Sequence, residues 1–162
     1  MGVRFNNFFD ARMIVGVLET DAGDPALHLE FLANYIAELS LLEYSLLSYS
    51  PSLIAASAIF LARFVLQPTK YPWLLPDEND AVFVADDTLY IWKQNSTLAH
   101  YTQYKRSELS ECVKTLHRLS SVGPGSNLPS ITEKYSQHKY KFVAKKQCPP
   151  QIPAEFFKDA AC

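Results

Sequence analysis

The sequence predicts an all-α fold of five helices, and three observations carry that expectation. Apolar residues recur at three- and four-residue steps in several separate stretches, the period of a helix with one buried face. Prolines and capping residues fall at the ends of those stretches, where helices start and stop. The chain is 162 residues long with 48% apolar and 20% charged residues, enough to build a core without disulfides or metal. The same balance excludes a disordered, collagen-like or disulfide-dense chain. A net charge of −2 gives no global attraction to nucleic acid or acidic lipid.

Residues 1–26 carry Gly2, Gly16, Gly23 and a turn-like Asp21-Ala22-Gly23-Asp24-Pro25, and read as an atypical lead-in without sustained period. From Leu27 the texture changes. Leu29, Leu32, Ala33, Ile36, Leu39 and Leu42 share one face, with Glu30, Asn34 and Glu38 off it, which predicts a helix of about four turns. Ser50-Pro51 supplies an N-cap and a first-turn proline together. Leu53 to Leu66 is then apolar everywhere except Ser57 and Arg63, and Gln67-Pro68 ends it. A run of this length does not span a bilayer, which takes about 20 apolar residues. A short helix that is apolar all round is the buried centre of a bundle, and Ala55, Ala56, Ala58 and Ala62 let its neighbours come close.

A shorter helix is expected around Thr97 to Tyr104. The next has Ser107 as a candidate cap, Leu109, Cys112, Val113, Leu116 and Leu119 as its buried face, and Gly123-Pro124-Gly125 as its stop. Ser130-Ile131-Thr132-Glu133 has the form of a capping box, with Ile131, Tyr135, His138 and Phe142 on one stripe behind it. Cys148-Pro149-Pro150 and Pro153 then open a Pro-containing tail over 147–162. One segment stands apart. Leu74 to Gln94 holds Asp77, Glu78, Asp80, Asp86 and Asp87 against a single Lys93, and its two short β-type runs would suit a hairpin better than a helix. It reads as an irregular acidic insertion.

No catalytic constellation emerges. His28, His100, His117 and His138 are scattered, and none has an acid at metal-motif spacing. Cys112, Cys148 and Cys162 form no C-x-x-C pair, so free thiols in a reducing compartment are expected. The acids from Asp77 onward fail as a calcium loop, because Val82 and Thr88 stand where glycine and glutamate are required. Gly123-Pro124-Gly125-Ser126 lacks the lysine of a phosphate loop. No cofactor, metal or catalytic residue is assigned, and the chain is not expected to be an enzyme. Lys134, Lys139, Lys141, Lys145 and Lys146 interleave with Tyr135, Tyr140 and Phe142 as in a nucleic-acid patch. But Tyr135 and Phe142 are needed on the core stripe and the lysines fall largely opposite it, so a solvated helix face is the preferred reading. Arg63-Phe64-Val65-Leu66 and Arg106-Ser107-Glu108-Leu109 match a minimal Arg-x-x-Leu degradation signal, but both fall in helices, where an extended signal is not available.

Phe31-Leu32-Ala33-Asn34-Tyr35-Ile36-Ala37-Glu38-Leu39-Ser40-Leu41, followed by Pro51-Ser52-Leu53-Ile54-Ala55-Ala56-Ser57-Ala58, resembles the first two helices of the C-terminal cyclin box. Lys70-Tyr71-Pro72-Trp73 and then Leu98-Ala99-His100-Tyr101-Thr102-Gln103-Tyr104 look like its third. Leu128-Pro129-Ser130-Ile131-Thr132-Glu133-Lys134-Tyr135 with Lys139-Tyr140-Lys141-Phe142-Val143-Ala144 looks like its last. The pattern is similar to A-type mitotic cyclins in their plant form, over about 27–73 and 95–157. The resemblance implies a five-helix cyclin-like fold, with the C-terminal box at 27–146 and Leu74–Gln94 inserted into it. It also implies a regulatory subunit of a cyclin-dependent kinase in cell-cycle control, in the nucleus and/or cytoplasm; no membrane partner is expected, and nucleic-acid binding through the lysine-rich last helix is the weakest of the readings. An N-terminal box, which in the family carries most of the kinase-contacting surface, has no counterpart in residues 1–26. The expectation is therefore weakened kinase binding and an impaired regulator; the alternative is an isolated cyclin-fold interaction module without kinase activation.

Overall fold

The computed structural model describes residues 25–69, 72, 102–121 and 129–158. Among these the regular structure is entirely helical: α1 (Pro25–Leu39), α2 (Pro51–Leu66), α3 (Arg106–Ser121) and α4 (Ser130–Tyr135), joined and followed by 3₁₀ turns. The all-α expectation holds. Pro25 and Ala26, read as the end of the lead-in, open α1. Residues 1–24 of the lead-in, the acidic segment 74–94, and the loop with Gly123-Pro124-Gly125 lie outside the described residues. So does most of the helix expected at 97–104. At its end Gln103 has a left-handed φ of 56° and residues 103–105 are not helical.

The centre is α2, as its all-round apolar character predicts. Every residue from Ile54 to Phe64 is buried, Ser57 and Arg63 included. The Ser50 hydroxyl accepts the Leu53 N–H at 3.3 Å, Pro51 opens the first turn, and the chain leaves helical geometry at Gln67. On one side α1 packs through Leu32, Ala33, Ile36 and Leu39; on the other α3 packs through Leu109, Cys112, Val113 and Leu116, all fully enclosed. The alanines of α2 leave no bulk between the three backbones, which is why one helix can serve two partners.

Four local expectations are corrected. Helix α1 ends at Leu39, so Leu42 sits on a 3₁₀ turn and is exposed rather than buried. Helix α3 begins one residue before Ser107: the Lys105 N–H donates to the Glu108 carboxylate at 2.6 Å, which satisfies the helix start from within. The Ser130 capping box does not form, because Pro129 takes the cap position and the Glu133 N–H bonds the Pro129 carbonyl at 2.8 Å. The stripe through Phe142 breaks after Tyr135. The backbone turns left-handed at Lys141 and Phe142, so Val143 becomes the core residue and Phe142 is exposed.

Within the stretch read as a tail, Ala154–Phe157 forms a 3₁₀ turn against α3. Phe157 stacks on Phe60 (ring centroids 5.3 Å, interplanar angle 16°), and Phe156 meets Phe64 edge-on at 5.9 Å. Both rings belong to the core. No helix among the described residues is long and apolar enough to cross a membrane.

Candidate interaction surface

Two surface features stand out from the packed helices, and neither resembles a catalytic centre. The first is the connector between α1 and α2. It runs as two 3₁₀ turns, Ser40–Leu42 and Tyr44–Ser48, separated by Glu43 in an extended conformation. Internal bonds hold it. The Ser40 hydroxyl donates to the Ala37 carbonyl at 2.6 Å, and the Ser45 hydroxyl donates to the Glu43 carboxylate at 2.9 Å. The Ser48 hydroxyl donates to the Ser45 carbonyl at 2.9 Å. The other Glu43 oxygen pairs with Arg118 of α3 at 3.6 Å, and Leu46 plugs the core from below. Leu41, Tyr44 and Leu47 are left outward at 67%, 86% and 68% exposure, with Leu42 beside them. A connector this well braced does not expose three large apolar side chains through looseness. Burial in water-free contact would stabilise each by about 1.5–3 kcal/mol.

The second feature is the turn after α4. Glu38 of α1 anchors it, accepting from both the Lys134 ammonium and the Tyr135 hydroxyl at 2.7 Å. Tyr135 and Tyr140 pack at 4.7 Å, and Phe31 meets Tyr140 edge-on at 5.5 Å. Lys139 lies 4.9 Å over Tyr140, and Lys145 lies 5.0 Å over Phe142. The lysines singled out in the sequence therefore divide. Lys134 serves the fold, whereas Lys139, Lys145 and Lys146 are exposed.

The candidate reactive groups are structural. The Cys112 thiol is buried on α3, and burial pushes its pKa up against the opposing effect of the Ser57 hydroxyl on α2. Burial also raises that of Cys148, against Ser120 and Ser121. Thiols raised in this way are poor nucleophiles at neutral pH. The His117 Nε2 lies 2.7 Å from the Pro149 carbonyl oxygen, tying α3 to the chain beyond α4. His138 sits by the Phe142 ring at 5.7 Å. His100 and Cys162 lie outside the described residues. No group of three metal-ligating side chains comes together among the described residues. Burial lowers the Arg63 pKa to about 10, and its guanidinium is enclosed in α2. Its Arg-x-x-Leu match is thus hidden in a helix, and the one at Arg106 forms the first turn of α3.

Residues 6–149 match the family model described as Cyclin, C-terminal domain. The chain belongs to the cyclin C-terminal domain family. Plant A-type cyclins are among its relatives. Over 151 residues it is 68% identical to Cyclin-A1-1 of Oryza sativa subsp. japonica, an alignment that covers 93% of this chain and 26% of that protein. It is 57% identical to Cyclin-A1-1 of Arabidopsis thaliana over 136 residues, covering 84% of this chain and 25% of that protein. It is 38% identical to Cyclin-A3-4 of Arabidopsis thaliana over 148 residues, covering 91% and 34%. The cyclin domain thus spans about a quarter of the length of its A1-type relatives. The family match takes in residues 6–26, where the residues alone read as an atypical lead-in, and it runs across 74–94.

Sequence reasoning missed the braced connector and Glu38. A signal for the first was present: Leu41 and Leu42 in succession, then Glu43, break the three-and-four spacing of α1. Nothing local marks Glu38, because its partners Lys134 and Tyr135 lie almost one hundred residues away.

Proposed function

We propose that this cyclin domain is part of a non-catalytic regulatory subunit of a cyclin-dependent kinase, acting in cell-cycle control. The observation that carries the reading is the match of residues 6–149 to the cyclin C-terminal domain together with 68% identity to a plant Cyclin-A1-1. The all-helical core, with α2 enclosed between α1 and α3, fits a rigid module that acts by presenting surface rather than by chemistry. Such a subunit works in the nucleus, the cytoplasm or both.

Taken alone, the chain is expected to bind a kinase weakly. Stable recognition buries about 1,200–2,000 Å² in total, and a chain spanning a quarter of its relatives' length supplies only part of their surface. Activation also requires contacts that differ between the active and inactive kinase, since a partner that binds both equally shifts nothing. A second reading is favoured by one observation, the exposed Leu41, Tyr44 and Leu47. On that reading the domain is an interaction module whose partner covers the connector without activating a kinase.

The test mixes the purified chain with a cyclin-dependent kinase and follows both complex formation by calorimetry and phosphorylation of histone. Weak binding, with a dissociation constant of about 100 μM or above and no stimulation, is the expected result. Micromolar binding with stimulated phosphorylation would overturn the impaired-regulator reading. Complete absence of binding would overturn the kinase assignment and leave the interaction module.

A further inference from the structure

Between Lys134 and Ala154 the chain carries five lysines and no acidic residue. Lys134 is committed to Glu38, and Lys139, Lys141, Lys145 and Lys146 cluster around a single turn. That turn has an unusual backbone. Lys141 and Phe142 are both left-handed, with φ of 56° and 54°. Non-glycine residues seldom adopt this conformation, and for a bulky aromatic it is an outlier of the kind that collects at binding sites. Its consequence is visible in the packing: Val143 enters the core at 1% exposure, and Phe142 is held outward at 42%. An apolar ring is thus displayed, against conformational preference, in the middle of a positive surface.

We infer that the 138–146 turn docks an acidic segment of a partner protein, with one aliphatic side chain of that segment seated on Phe142 and its carboxylates met by Lys139, Lys145 and Lys146. Charge complementarity selects an anionic partner. The ring geometry selects a peptide over a nucleic acid. Base stacking needs an open aromatic face, but Lys145 lies 5.0 Å over Phe142 and His138 packs edge-on to it at 5.7 Å. Tyr140 is likewise occupied by Phe31, Tyr135 and Lys139. A leucine or valine needs only the remaining exposed part of the Phe142 side chain. The inference does not rest on the kinase reading and holds for any role of the domain.

Fluorescence anisotropy on the full chain provides the test. The probe is a dye-labelled Glu-rich dodecapeptide with one central leucine; the controls are the same peptide with serine at that place and an oligothymidylate. The leucine peptide should bind, and the serine peptide should bind about tenfold more weakly, the effect of one modest apolar contact. Phe142→Gly should lose about the same tenfold while leaving the melting temperature unchanged or raised, because glycine takes a left-handed conformation freely. The pair Lys145→Glu and Lys146→Glu should weaken binding further and remove most of its salt dependence. Equal affinity for the two peptides, unchanged binding by Phe142→Gly, tighter binding of oligothymidylate, or no binding of the leucine peptide at millimolar concentration would each overturn the proposal.

Discussion

Replacing Phe157 by alanine tests whether the last turn is part of the core. The ring is 9% exposed and stacks on Phe60 at 5.3 Å, with the Lys114 ammonium 5.9 Å from its centre. Truncating an enclosed phenylalanine costs about 3–5 kcal/mol, the transfer of the ring plus the cavity it leaves. Residues 154–157 form a short turn near the end of the described chain, so the site can collapse in part, and the lower limit of about 3 kcal/mol applies. Of this, about 0.5–1.5 kcal/mol belongs to the ring–ring contact itself. Urea unfolding followed by far-UV circular dichroism measures the loss as a lower midpoint at constant slope. A double-mutant cycle with Phe60→Ala isolates the contact: the two changes together should cost less than their sum by that ring–ring amount. A loss below about 1 kcal/mol, or strict additivity with Phe60→Ala, would refute the claim that Phe157 is held against α2 in solution.

Other perturbations probe the rest of the fold. Ile59→Asp places an unpaired charge at the centre of α2, where Ile59 is 2% exposed; it should cost about 4 kcal/mol or more, read as loss of the cooperative thermal transition. Ser57→Ala should stabilise by about 1 kcal/mol in the same urea assay, because the buried Ser57 hydroxyl has no hydrogen bond of good geometry and the neighbouring Cys112 thiol is a weak partner. Glu38→Ala should cost about 1–2 kcal/mol and Glu38→Gln less, since the amide oxygen still accepts from Tyr135; equal losses would show that the hydrogen bonds contribute nothing. The folded-state pKa values of Cys112 and Cys148 are raised, so the fold favours the protonated thiols. Their contribution is complete below the unfolded thiol value of about 8.5 and is lost as pH rises above it. Stability should therefore fall as pH rises past the unfolded thiol value of about 8.5, and Cys112→Ala should flatten that fall.

What the sequence makes legible follows the range over which its signals act. Helix α2 is readable because its determinants are local: Ser50 caps it, Pro51 starts it, Gln67 ends it, and an unbroken apolar run states its burial. The buried face of α3 is equally local. Expectation fails where tertiary contacts outweigh local preference. Phe142 fits a helical stripe by spacing, but the chain must turn to bring Val143 onto α1, and the stripe is abandoned. Ser130 has the right neighbours for a capping box, yet Pro129 takes the cap position. Phe156 and Phe157 follow several prolines and carry no period, so their burial depends on Phe60 and Phe64, far back in the chain. The interaction surfaces are harder still, because exposure of Tyr44 or Phe142 is decided by where helices end rather than by the residues themselves.

The placement of that aromatic pair also bears on how the protein is made. Phe60 and Phe157 are 97 positions apart, and their contact cannot exist until the later residue has been synthesised. At roughly 5–20 residues per second the ribosome needs on the order of 5–20 s to travel between them. Until residue 121 has been made, α2, apolar on every side, has α1 to pack against but lacks α3, and it lacks the closing turn for the whole interval. The nascent chain thus passes through a window in which its most aggregation-prone helix is half covered. Synonymous codon choice that slows the ribosome after residue 66 would lengthen this window, and a chaperone that binds short apolar helices would find its target there rather than in the finished molecule.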